Sequence, residues 1–464
     1  MKYILYAVLA FILSGCASPK VGIVHLSEKE LDNLEAEAMK GRSLFSERKY
    51  QEAASVFENL SQQPTVSKPL YLNELGSCYL AMGEYERAKK ILWDSHDLMD
   101  FFDPKSEAQA LSLFGSETQK FYRGDPYERA MNSLLLGILF LRDNDVDNAL
   151  ACFNNGILCD SEVLNEEFKS DIFLLYALAA KCYRMRNQED MYLKYVDKAR
   201  QAYQCTEPAI RQLLTAKQFL SVSMASNKDM REQIVSDFLI KRLDLKMEKL
   251  KSASSGMMFE QLINGDYNTL TILLSGNSVS KSRSGRYGEK LNIDEPVRND
   301  SFRFEVTVDG TEHLDPLNGI CDVNFQALTR GGRLMDNILE RKASFKKTSN
   351  EVSDILIIGG TAIIIAGALS RDGNVMIICT SVGGGMIITG VIIKGVAYLT
   401  IARCDIRSWQ TLSGNIQVVP LNLEVGKHKV GIDSYESYFK IGETRKTELS
   451  IDSPSKMNVI ISYP

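Results

Sequence analysis

The stretch GRSLFSERKYQEAASVF, Gly41 to Phe57, places a small residue, a large one three positions on, a small one at offset twelve and a large one at sixteen: Gly41, Leu44, Ala53 and Phe57. The same offsets return as Gly76, Tyr79, Ala88 and Leu92, and again as Gly137, Phe140, Ala149 and Phe153. A looser copy reads Ala180, Tyr183, Tyr192, Val196 and Ala199. The pattern is steric, because two antiparallel helices approach closely only where one offers Gly or Ala to a ring or a Leu on the other. The spacing therefore predicts helical hairpins that turn at Glu47-Arg48-Lys49-Tyr50, Gly83-Glu84-Tyr85 and Asp143-Asn144-Asp145. Gly76 follows Gly41 by 35 residues but precedes Gly137 by 61, so an insertion of mixed helix and loop is expected from about Asp100 to Arg123.

These offsets resemble the tetratricopeptide repeat. The resemblance implies a solenoid over residues 29–252 whose first helices line a concave surface that binds other proteins. The alternative is a spacer that only carries the C-terminal region. Pro208 to Leu220 and Lys228 to Lys251 read as further amphipathic helices, with the charge-rich Lys241 to Lys251 as a polar closing element.

The N-terminus carries a second signal. Met1-Lys2, the apolar Tyr3 to Ile12 and then Leu13-Ser14-Gly15-Cys16 resemble the signal and lipobox of bacterial lipoproteins. That resemblance implies removal of residues 1–15, diacylglycerol on the Cys16 sulfur, acylation of the new amino group and a tether over 16–28. Ala17, where an aspartate would signal retention, implies the outer membrane, facing the periplasm. The covalent lipid is then the only prosthetic group expected, and each buried methylene contributes about 0.8 kcal/mol to anchorage.

Composition sets bounds on the rest. A chain of 464 residues, 45% hydrophobic and 24% charged with net charge −5, has room for two to four cored domains and lacks the basic footprint of nucleic-acid binding. His25, His96, His313 and His428 are far apart and no CxxC pair occurs, so no metal site is expected. Cys78, Cys152 and Cys182 fall at helix-packing positions of the repeats and suit a small hydrophobe. Ser278-Val279-Ser280-Lys281 matches the S-x-x-K of penicillin-binding proteins, but it sits in a Ser/Lys/Gly-rich loop and its nearest K-T-G-like partner is Lys446-Thr447-Glu448. No enzyme is expected.

After Ser255 the character changes, and residues 256–464 read as a mixed α/β domain. Thr269 to Leu274 and Phe302 to Val308 read as strands, and Asp322 to Lys347 as a helix. Ile416 to Leu423, Gly426 to Ile432, Thr447 to Ile451 and Met457 to Ser462 read as a small antiparallel sheet or sandwich. Between them lies the Gly/Ile-rich segment 355–401, with thirteen isoleucines and only Arg371, Asp372 and Lys394 as charges. It is expected to be a helical hairpin with arms of about 15 and 20 residues, roughly 22 and 30 Å long. Burial is the favoured reading, because a spanning hairpin would tend to stop in the inner membrane during export; insertion in a membrane and lining of an oligomer are the others. The expected fold class is α+β: a helical repeat solenoid followed by this mixed domain.

Four strings then fall into one order: Tyr122 to Arg129 (YRGDPYER), Leu273 to Lys281 (LLSGNSVSK), Asp405 to Leu412 (DIRSWQTL) and Leu423 to His428 (LEVGKH). Together they resemble an uncharacterised family of bacterial tetratricopeptide lipoproteins, sometimes encoded beside penicillin-binding-protein-activator or curli-channel-type lipoproteins. This family carries no assigned activity. The chain departs from it with Ser278 and Ser413, where the family tends to have proline. In Asp405, Arg407, Ser408 and Trp409 the expectation is a structural Asp405/Arg407 pair and a Trp409 that anchors the last sheet. The functional expectation is a non-catalytic scaffold in the cell envelope, recruiting a periplasmic or envelope protein through its repeats. Its alternative is a subunit of an oligomeric export or surface-assembly complex, a homo-oligomer built through the hairpin; an envelope hydrolase comes third.

Overall fold

A computed structural model of the chain describes residues 28–100, 121–162, 171–206, 257–284, 289–294, 302–310, 312–314, 316–329, 334–369, 373–399, 404–436 and 439–464. Its N-terminal half is helical: α1 (Glu28–Ser46), α2 (Tyr50–Gln62), α3 (Lys68–Met82), α4 (Tyr85–Asp100), α5 (Pro126–Arg142), α6 (Val146–Ser161), α7 (Phe173–Met185) and α8 (Glu189–Thr206). These pair as α1/α2, α3/α4, α5/α6 and α7/α8. A Cβ at Gly41 would lie 2.8 Å from the Phe57 ring, one at Gly76 would lie 2.5 Å from Leu92, and one at Gly137 would overlap Phe153. Ala53, Ala88 and Ala149 are wholly buried, and Tyr79 nearly so, while Phe140 is only partly buried against the same core. The offsets therefore do what steric reasoning asks of them: the small residue on the first helix of each pair receives the large one on the second.

Each pair also reverses in the same way. Seven residues after the small position stand Arg48, Gly83, Asn144 and Asn187, with φ of 62°, 75°, 59° and 56°. A left-handed residue just past a helix lets the chain turn back while its amide satisfies a terminal carbonyl. Gly and Asn suit that position; Arg48 occupies it against preference.

The C-terminal half begins with α9 (Met257–Asn264), followed by β1 (Thr269–Ser275), β2 (Ser280–Ser284), β3 (Lys290–Asp294), β4 (Phe302–Val308), β5 (Glu312–Leu314), β6 (Leu317–Asp322), α10 (Val323–Thr329), α11 (Leu334–Leu369), α12 (Gly373–Leu399), β7 (Asn415–Leu421), β8 (Gly426–Glu436), β9 (Phe439–Ile451) and β10 (Asn458–Ser462). Two four-stranded sheets result, in the orders β10-β1-β7-β6 and β5-β4-β8-β9, with β2 and β3 as a separate ribbon. Side-chain alternation places the first sheet between two layers. Leu270, Ile272, Leu274, Ile416 and Val418 belong to one core with the helices, whereas Leu273, Val419, Leu421 and Ile460 join Phe304, Val306, Val430 and Ile432 of the second sheet. That is why β1 is buried along its whole length.

Four expectations are corrected. Of the two arrangements expected for the last four strands, the single antiparallel sheet is not formed: they are divided between two packed sheets, β7 and β10 in the first and β8 and β9 in the second, and β10 pairs parallel with β1. Antiparallel pairing needs only a hairpin, but these strands lie far apart in sequence and are brought together by burial between layers. The helix expected over Asp322 to Lys347 is instead α10 plus the start of α11, which runs unbroken through the first apolar arm. The apolar hairpin α11/α12 is present but not buried: Ile358, Leu369 and Ile377 are 70%, 81% and 66% exposed. Finally, three of the four first helices of the array do not line an open groove, since α3, α5 and α7 are buried between their partners and the C-terminal half; of the four, α1 alone keeps an open face. The lipobox, the insertion over 101–120 and the helices expected over 208–220 and 228–251 lie outside the described residues.

Two predictions follow from packing and charge. Gly137→Leu should destabilise the fold by about 1–3 kcal/mol through overpacking against Phe153, whereas Leu158→Ala, at a position 61% exposed, should stay within about 0.5 kcal/mol; urea unfolding measures both. In the second sheet, the His428 Nδ1 to Asp309 Oδ2 hydrogen bond (2.8 Å), with the Glu424 carbonyl on Nε2, raises the imidazole pKa above its usual value. Its stabilising effect is therefore complete below pH ~6.5 and fades as pH rises through the folded-state value. An NMR titration should place His428 above ~6.5, and Asp309→Asn, which still tolerates the left-handed turn at φ 52°, should bring it back.

Candidate functional site

The richest polar cluster lies where the segment 404–414 crosses the helical array. Asp125 caps α5, followed by Pro126 at the first helical position, and Glu128 reaches back to accept the Asp125 amide at 2.6 Å. This capping box fixes a carboxylate at a helix start. Glu128 is wholly buried and its other oxygen accepts the Trp409 amide at 2.7 Å. Lys281 on β2 donates to Asp125 at 2.7 Å and to the Arg407 carbonyl at 3.0 Å, with Glu128 4.0 Å away. Burial pushes the Glu128 carboxyl above the usual range, opposed by Lys281 and reinforced by Asp125.

A second carboxylate does the same work from α3. Glu74, wholly buried, accepts the Gln410 and Thr411 amides at 3.3 and 3.0 Å and the Arg42 guanidinium at 2.8 Å. Arg42 donates also to Glu35 at 2.6 Å; burial works against its charge, but these two carboxylates more than offset it and raise its pKa. Trp409 itself is fully buried, and its indole N–H donates to Ser77 of α3 at 2.9 Å. Three consecutive backbone amides, 409 to 411, are thus held by two buried side-chain carboxylates. Arg407 forms a two-pronged pair with Asp405 at 2.9 and 2.7 Å, donates to Ser67 at 3.1 Å and lies over the Tyr122 ring. Burial opposes its charge while Asp405 holds it, with the pKa raised in balance.

Three of the four strings quoted from the sequence therefore meet at one seam: 122–129, 273–281 and 405–412. The fourth, 423–428, lies at the second sheet. The Asp405/Arg407 pair is as expected, but Trp409 is anchored by the helices rather than by the last sheet, since its polar partners are Glu128 and Ser77. Ser408 is buried beside it. Glu74, Arg42 and Lys281 escaped sequence reasoning as members of this cluster. Only Asp125 and Glu128 had a local signal, the D-x-x-E of a capping box before an apolar run. Ser278, singled out as a departure from proline, donates its amide to the Leu412 carbonyl at 2.7 Å, a bond that proline lacks the hydrogen to make.

Beside the seam is a cavity of about 210 Å³ lined by Arg42, Ser43, Ser278, Gln410 and Thr411 among others. Arg42 Nη2, Ser278 Oγ and Thr411 Oγ1 are buried without hydrogen-bond partners among the described residues. It is large enough for several waters or a small polar molecule. Ser278 and Lys281 do not form a nucleophile and base there, because the lysine is committed to Asp125 and to a carbonyl. Among the described residues no group of three or more His, Cys, Asp or Glu is placed to hold a metal ion. Cys78, Cys152, Cys159, Cys182 and Cys379 are free thiols. Burial raises the thiol pKa at Cys78, Cys152, Cys159 and Cys182, which keeps these sulfurs protonated.

Neither a protein-family model nor a curated protein matches this sequence.

Glu74→Ala would leave the buried Arg42 without its main partner and two amides without an acceptor, and should cost about 3–5 kcal/mol. Trp409→Phe loses the bond to Ser77 and leaves a small cavity where the larger ring stood, and should cost about 2–4 kcal/mol. Urea unfolding followed by both tryptophan fluorescence and circular dichroism measures these costs, and the two probes should lose stability together.

Proposed function

We propose that this protein is a lipid-anchored, non-catalytic scaffold of the bacterial cell envelope, built from a tetratricopeptide-like array clamped to its own C-terminal domain. The observation that carries this reading is the use made of the chemistry-bearing side chains. Glu74 and Glu128 hold the amides of 409–411, Lys281 ties the Arg407 carbonyl to Asp125, and Arg407 ties Asp405 to Ser67, so that all of them serve to hold the segment 405–411 against the helices. Groups so consumed act as fasteners.

The array's role in this proposal differs from the one its repeats first suggest. A peptide partner would ordinarily enter along the first helices, but the chain's own 404–414 segment and first sheet take that place. Envelope partners would then meet the outward second helices, where Trp93 and Leu193 are 38% and 56% exposed, or the outer sheet. The lipid on Cys16 would hold the whole assembly at the outer membrane, facing the periplasm.

Palmitate labelling in a bacterial host tests the anchor: label should appear in the mature chain and vanish in Cys16→Ala. A photo-crosslinker placed at Leu193 should capture the same envelope protein in replicate preparations. Unlabelled protein, or turnover of peptidoglycan by the purified chain, would overturn the proposal.

A further inference from the structure

The hairpin α11/α12 is the part of the molecule that the clamp does not explain. Its main packing contact with the rest of the described protein is at β3, and elsewhere the two helices pack on each other. They do so through glycine: a Cβ at Gly360 would lie 2.6 Å from the Gly383 carbonyl, and one at Gly383 would lie 2.5 Å from the Gly360 carbonyl. Gly390 meets the Ser353 carbonyl in the same way, at 2.9 Å. Backbone-to-backbone approach of this kind holds helices together without any need for water to drive them.

Among the described side chains the outward surface is uncharged and mostly apolar on more than one face. Met376, Ile377 and Ile378 are consecutive and all exposed, although at ~100° per residue they sweep more than half of the helix circumference. Ile358, Ile365 and Ile388 add 70%, 54% and 57% exposure. A helix docking on a protein partner shows one apolar stripe, whereas one that is apolar all round belongs in a core or in lipid. The chain carries no Asp, Glu, Lys or Arg between Asp354 and Arg371, or between Asp372 and Lys394.

Four hydroxyls within these stretches are already satisfied. Thr361 donates to the Ile357 carbonyl, Thr380 to Met376, Ser381 to Ile377 and Thr389 to Gly385, at 2.7 to 2.9 Å. Protein interfaces trade about one hydrogen bond per 100–200 Å² with their partner. These hydroxyls look inward to their own helices instead, as hydrocarbon requires. Charges stand only at the two ends of the apolar hairpin: Arg371 and Asp372 between the arms in sequence, and at the base Lys394, which pairs with Asp354 at 2.6 Å with both half exposed.

We propose that the two helices enter the hydrocarbon of a lipid layer together, as a wedge, with the Asp354/Lys394 pair left at the polar surface. Among the described residues no helix is long and apolar enough to cross a membrane by itself. The two arms are held together where Gly360 meets Gly383. The roughly 22 Å of the first arm, in a hydrocarbon core of about 30 Å, carries the Arg371-Asp372 link past the bilayer centre toward the far polar surface, where charge is tolerated.

The test uses the full-length, processed protein in vesicles of phosphatidylethanolamine and phosphatidylglycerol, with and without bromine on the acyl chains. Ile377→Trp adds a reporter on the hairpin; Leu158→Trp adds one at an exposed site of the array. After subtraction of the parent's Trp93 and Trp409 signal, brominated lipid should quench the added emission of Ile377→Trp roughly twofold, as expected of a side chain held among acyl chains, and leave Leu158→Trp unchanged. Emission at Ile377→Trp that remains water-like and insensitive to bromine would overturn the proposal. So would emission that is blue-shifted yet unquenched with Cys379 crosslinking between copies, which assigns the surface to a second copy of this chain. Loss of palmitate labelling leaves this readout intact, so failure of the anchor and failure of the wedge are separable.

Discussion

Two buried carboxylates, Glu74 and Glu128, carry the architecture. Each stands on the first helix of a helical pair and each accepts backbone amides from the same short stretch, Trp409 to Thr411. A carboxyl group in a protein interior is tolerable only when its lone pairs are occupied. Occupying them with the backbone of a distant segment converts that electrostatic constraint into a topological one. The segment between α12 and β7 has to lie across α3 and α5, and the first sheet has to follow it.

Further fasteners repeat the logic along the array. Tyr85 donates to the Ile461 carbonyl, the Asn144 side chain brackets the Met457 backbone, and Lys181 donates to the Gly265 and Tyr267 carbonyls. All but Lys181 come from the turn that closes a helical pair or the residue just after it. The turns therefore serve twice, first to reverse the helices and then to grip strand β10. Burying Lys181 lowers its pKa to about 8, a position that favours few lysines without such carbonyls around them. The result is a three-layer stack whose middle layer, β10-β1-β7-β6, has no solvated face.

The helical pairs were legible because their rule is local: a small residue and a large one sixteen positions later, within one hairpin, decide the approach of two helices. The strands were mostly legible too, since alternation and turn residues mark β1, β4 and β8. Their partners were not. Register and neighbour choice in these sheets depend on which face meets the helices, and nothing near Asn458 in sequence says that it will lie beside Thr269. The site shows the same division. Asp405 and Arg407, two apart, could be paired by inspection, and the D-x-x-E at Asp125 and Glu128 marks a helix start. Glu74 has no such mark: it reads as an ordinary helix residue until a segment more than three hundred positions away brings it two amides. The hairpin failed for another reason. Its composition announces an apolar environment, yet composition is silent on whether protein or lipid supplies it.

If Glu74 and Glu128 bind the array and the C-terminal domain into one unit, the amides they hold should open only when the whole protein does. Native-state hydrogen exchange of Trp409 and Thr411 measures this directly. Protection equal to that of the α3 and α5 core amides, lost together with them as urea is raised, is the predicted result. Exchange of Trp409 and Thr411 while α3 and α5 stay protected would show that the segment merely rests on the helices, and would contradict the account.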